Sequence, residues 1–170
     1  MEGEIINRVA ESTLVTIDLE EYYPIGERVV IDLKDNLFQG LILREKDFRE
    51  FAKDHDWQQY KDKFVGITCS ADAIIPTWAY MLVTTKLEPF ASAIFYGGLV
   101  ELERHLMFKA IEGFNVKEYA DKRIVIKGCG DLNIDAFAYV ELTKKLTPHV
   151  TSIMYGEPCS TVPIYKRQKS

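Results

Sequence analysis

The chain has 170 residues, 47% hydrophobic and 28% charged, with a net charge of -5 and a sequence pI near 5.3. That length buries a real core without disulfides or metal, and the composition excludes a disordered chain. The acidic balance excludes sequence-independent nucleic-acid binding, which needs a surplus of Lys and Arg. The longest uncharged runs, 73–85 and 89–100, fall short of the roughly 18 residues a membrane helix needs. Neither a nucleic acid nor a membrane is therefore expected as a partner. The N-terminus carries acid where a secretory signal carries base. A cytoplasmic protein with three reduced cysteines is expected.

In chain order, Leu14, Ile17 and Leu19 suit a short strand before Pro24 and Gly26 break the chain. Apolar runs at 28–33 and 37–43 flank Lys34, Asp35 and Asn36, which predicts an antiparallel hairpin. Residues 44–54 place Phe48, Phe51 and Ala52 on one stripe, the pattern of an amphipathic helix.

Residues 60–97 laid over 119–156, a shift of 59 without gaps, give 15 identities in 38 positions. Chance gives about 2 or 3 at average residue frequencies. This is an internal duplication. Each copy predicts strand, helix, strand: 64–68, 76–87 and 91–96 in the first, then 123–127, 135–146 and 150–155 in the second. Such a unit should be parallel and right-handed. Leu99, Leu102, Leu106, Met107 and Ala110 predict a bridging helix, with Gly113 as its stop. The expectation is a single α/β domain over 1–170. Its mixed sheet would hold an N-terminal hairpin and the two duplicated βαβ units, with helices covering it. Residues 156–165 should run extended along the surface, and 166–170 should fray.

In open parallel sheets, ligands bind beyond the carboxyl ends of the strands. Cys69, Ser70 and Asp72 follow one duplicated strand, and Cys129 and Asp131 follow its twin. Glu157 and Cys159 follow the last return strand. If those strands are neighbours, three thiols share one rim. Thiolates near helix N-termini bind soft metals or act as nucleophiles, and the carboxylates would orient a ligand, take protons or complete a metal set. Cys69, Cys129 and Cys159 as metal ligands imply zinc or an iron–sulfur cluster. Ser70, Asp72, Asp131 and Glu157 are the accompanying ligand-binding candidates.

Three readings stay open: a metal site, one reactive thiol in a small-molecule enzyme, and inert buried cysteines in a non-catalytic scaffold or regulatory protein. The cysteines are 60 and 30 residues apart, unlike the close pairs of most metal sites, and Cys69 aligns with Gly128, not with Cys129. His55 and His149 precede strands and His105 lies mid-helix, so no Cys–His dyad is expected. Phosphate-loop, dinucleotide, zinc-protease and nucleophile-elbow motifs are absent. The repeated Tyr96-Gly97 and Tyr155-Gly156 suggest a packing device.

The runs VIDLKDNLFQ, GLILREKDFREF, ITCSADAIIPTWAYML and SIMYGEPCSTVPIYK resemble an uncharacterised Bacteroidetes family, domain of unknown function 2480. The resemblance spans nearly the whole chain and is most specific around Cys69 and Cys159. It implies an accessory role in iron–sulfur cluster assembly, with assembly proteins as partners, and identifies no ligand residue. A homodimer is the default oligomer.

Overall fold

A computed structural model of the chain describes residues 14–128, 130–157 and 160–168. They fall into two compact units. The central unit is Pro24–Leu106; the terminal unit is the chain up to Tyr23 together with the chain from Met107.

The central unit holds β2 (Arg28–Asp32), α1 (Glu45–Asp54), β3 (Phe64–Thr68), α2 (Thr77–Leu87) and β4 (Ala93–Tyr96). Its three strands lie in the order β2-β3-β4, all parallel. The terminal unit holds β1 (Leu14–Ile17), β5 (Arg123–Ile126), α4 (Ala136–Leu146), β6 (Ser152–Glu157) and β7 (Ser160–Lys166). Here the order is β1-β5-β6-β7, with β7 the only antiparallel member among the described strands. Helix α3 (Leu99–Glu112) follows β4 in the chain, and Gly113 lies immediately beyond it, as the sequence predicts.

The α/β class and the two parallel βαβ units are present, on two sheets where one was expected. Each βαβ unit recruits its own additional parallel strand, β2 beside β3 and β1 beside β5, and so completes a three-strand core of its own. The same choice removes the expected hairpin at 28–43. The Asp32 side chain accepts the Lys34 N–H and closes a 3-10 turn at Leu33–Asn36, which buries Leu33. That turn ends β2, so residues 37–43 never run back along it. They form isolated bridges, Phe38 with Ile42 and Ile42 with Ile74. Of the residues expected to run extended along the surface, 160–165 lie in β7, a largely exposed strand paired with β6. Pro163 is tolerated there because β7 is an edge strand and the pairing with β6 is irregular at this point.

The two βαβ units match at atomic detail. Ala79, Val83 and Leu87 of α2 are fully buried, as are Ala138, Leu142 and Leu146 of α4, each pair offset by 59. Asp62 and Asp121 both adopt left-handed backbone, at φ 61 and 59. Their N–H groups donate to matching carbonyls, Phe90 at 3.0 Å and His149 at 2.9 Å. The N–H groups of Ser92 and Thr151 return matching bonds to Lys63 and Lys122. The Tyr-Gly repeat is a backbone device, since Gly97 and Gly156 have φ of +129 and +123, a region closed to most side chains.

The core of the terminal unit joins Ile17, Leu19, Met107, Ile111, Ile124 and Ile153 to the buried face of α4. Beside it, Lys145 donates to the carbonyls of Ile111 at 2.7 Å and Glu112 at 2.5 Å at the carboxyl end of α3, where the Ile111 carbonyl also accepts the Phe114 N–H. A cation there adds to the carbonyl bonding and complements the helix dipole. Lys145→Met should therefore cost about 1–2 kcal/mol in urea unfolding, although the side chain is only half-buried.

Candidate functional site

Both sheets end in the same way. Ile17-Asp18-Leu19 leaves β1 and Ile31-Asp32-Leu33 leaves β2, and each Asp accepts the N–H two residues on to start a 3-10 turn. Each Asp also reaches across to the loop after the neighbouring strand. From there the two units diverge.

In the central unit, Asp32 accepts from the Ser70 N–H at 3.0 Å and the Ser70 hydroxyl at 2.5 Å. Burial pushes the Asp32 carboxyl up, but the hydrogen bonds from Ser70 and Lys34 outweigh it and hold the pKa down at about 2. A carboxyl held low in the folded state stabilises it above the unfolded value near 3.8. That stability drains away as pH falls through about 2. In acid titrations followed by circular dichroism, Asp32→Asn should flatten the loss between those limits. Cys69 is half-buried against this core, with its thiol 3.9 Å from the Ala71 carbonyl. Asp72 is exposed.

In the terminal unit, Asp18 instead accepts from Lys127 Nζ at 2.7 Å. This bond, with help from the Glu20 N–H and against burial, lowers the Asp18 carboxyl and raises the Lys127 ammonium. Glu20 accepts from the Leu132 N–H at 2.5 Å. Tyr155 donates its hydroxyl to the Gly128 carbonyl at 3.2 Å and meets Tyr139 edge-on, centroids 5.7 Å apart. A side chain at either loop glycine would displace a neighbour. A Cβ on Gly128 would lie 2.7 Å from the Tyr155 ring, and one on Gly130 would meet the Glu20 carboxylate. Gly128 and Leu132 are thus each tied to a side chain, Tyr155 and Glu20.

These residues line a polar cleft of about 380 Å³ at the carboxyl ends of β1, β5 and β6. This is where a parallel sheet is expected to receive a ligand. Asp131 is exposed beside it. Glu157, at the end of β6, adds negative charge near Lys127, and its Oε1 is buried without a hydrogen-bond partner among the described residues.

Of the three cysteines, Cys129 and Cys159 lie outside the described residues. Their strands, β5 and β6, are neighbours, whereas Cys69 follows β3 in the other sheet. A rim made of three strands of one sheet therefore does not form. Among the described residues no three His, Cys, Asp or Glu side chains converge to hold a metal ion. The histidines lie away from these loops in the sequence, and His55 is enclosed by Phe51, Trp57 and Tyr60.

Asp18, Glu20, Lys127 and Tyr155 are not among the sequence candidates. Their signal is the repeat of Ile-Asp-Leu at 17–19 and 31–33. It is invisible at a shift of 59 because the two strands are only 14 residues apart in the chain (31 against 17).

The model of the family described as protein of unknown function (DUF2480) matches residues 3–167. The chain belongs to that family. No curated protein and no solved structure matches it. Family membership thus agrees with the resemblance carried by the sequence runs and brings no activity with it. Among the described residues, no helix of this family member is long and apolar enough to cross a membrane.

Proposed function

We propose that the chain is a small-molecule-binding protein whose working site is the terminal-unit cleft, with the Cys129 thiol as its reactive group. The observation that carries this is the double clamp on the Gly-Cys-Gly loop. Tyr155 fixes the residue before Cys129, Glu20 fixes the loop after it, and both flanking glycines line the cleft. Fixed neighbours of this kind are the preorganisation a thiol-dependent reaction requires. In the central unit the twin loop is spent on the Ser70–Asp32 bonds, and no such Gly-Cys-Gly occurs.

A fragment screen read out by amide chemical shifts of the full chain tests this reading. Binding fragments should shift Lys127, Gly128, Gly130 and Leu132 first. A screen whose binders all leave these amides unmoved would overturn it.

A second reading is a soft-metal or iron–sulfur site using Cys129 and Cys159, with Glu157 or Asp131 supplying oxygen. It is favoured by the adjacency of β5 and β6 and by the Glu157 Oε1, which has no partner among the described residues. An accessory role beside iron–sulfur assembly proteins would accompany it. Anaerobically purified protein should then carry iron or zinc that Cys129→Ser removes. Metal-free protein that takes up neither ion on titration would end it.

A further inference from the structure

The polar cleft does not stand alone. Tyr139 and Tyr155 form one of its walls, and the same pair bounds a second depression of about 440 Å³. This neighbour has the opposite chemistry. Ile126 and Ile153 of the sheet make its floor, Val140 and Thr143 of α4 one side, and Ile164 of β7 the other. Val140 and Ile164 are 62% and 53% exposed, which leaves the groove open along its length. Both volumes fall within the usual range for small-ligand sites.

We propose that the cleft takes an amphipathic ligand, a compact cationic head on an apolar tail, with the tail lying in this groove across the tyrosine pair. The inference rests on the cleft being the working site. The head's charge is set by the lining, where the carboxylates of Asp18 and Glu20 outnumber the single Lys127 ammonium and Glu157 adds negative charge nearby. An anionic head would meet net repulsion. The tail is set by continuity, because a ligand leaving the cleft past Tyr155 enters a mainly apolar lining of Ile, Val and Thr, whose one ammonium, Lys144, is paired with Glu141. Burying apolar chain against them is favourable by area alone.

Straight-chain primary amines, from ethylamine to octylamine, are the probes, with amide shifts of the full chain as the readout. Ethylamine should perturb Lys127 and Gly128. Affinity should then rise about two- to fourfold per methylene, while shifts spread to Val140, Thr143 and Ile164. Octanoate should bind at least tenfold more weakly than octylamine. Val140→Glu, at an exposed position that does not threaten the fold, should abolish the gain with chain length and leave ethylamine binding intact.

A flat dependence on chain length, with Lys127 and Gly128 still perturbed, would overturn the inference and leave the proposed cleft standing. Octanoate binding as well as octylamine would overturn the cationic head. Shifts confined to other apolar patches, or no perturbation by any amine, would overturn the inference entirely. The cleft reading is then judged by its own fragment screen.

Discussion

Leu142→Ala should lower the unfolding free energy by about 2–5 kcal/mol, the range for truncating a fully buried leucine. Leu142 is 0% exposed and sits between Ala138 and Leu146 on the buried stripe of α4, in one core cluster with Ile124 and Ile153. Urea unfolding reads the effect as a lower midpoint with an unchanged slope. Val140→Ala, two residues away on the exposed face, should lie within about 0.5 kcal/mol of the parent. Equal effects at the two positions would contradict the packing described for α4.

Gly128→Ala should disrupt the cleft while leaving the chain folded. The added methyl would lie 2.7 Å from Tyr155 Cζ and 2.9 Å from its hydroxyl, so the ring has to swing away. Its bond to the Gly128 carbonyl and its edge contact with Tyr139 go with it. A cost of about 1–3 kcal/mol is expected for overpacking of this kind. With the clamp gone, the rate of Cys129 alkylation should change at least tenfold, and fragments that bind the parent should no longer shift Lys127. Gly113→Ala is the control. Its Cβ would meet nothing closer than 3.6 Å, and it should leave thiol reactivity unchanged.

Much of the fold was legible because hydrophobic spacing and a gapless repeat both report on local structure. Ala79, Val83 and Leu87 recur as Ala138, Leu142 and Leu146, and a helix-length stripe of that kind has one way to bury itself. Strand partnership was less legible. Whether residues 28–32 pair with residues 37–43 or with β3 is decided by the Asp32 turn, a side-chain-to-backbone bond that no periodicity records. The two-sheet arrangement was missed for the same reason, since each added strand lies far in sequence from its partner.

At the site, placing candidates at strand carboxyl ends directs attention to the loop that follows β5. It did not find Asp18 and Glu20, which reach that loop from more than 100 residues away, at separations of 109 and 112. Nor does residue type reveal that the Ser70 hydroxyl, in the twin loop, bonds to Asp32.

The most direct measurement is the rate at which each cysteine of the unmodified protein reacts with iodoacetamide at neutral pH, resolved by peptide mapping. Cys129 should be alkylated at least tenfold faster than Cys69 and Cys159, as suits the reactive group of the proposed site. Three comparable rates, or a faster Cys69, would contradict the assignment of the working site to the terminal unit.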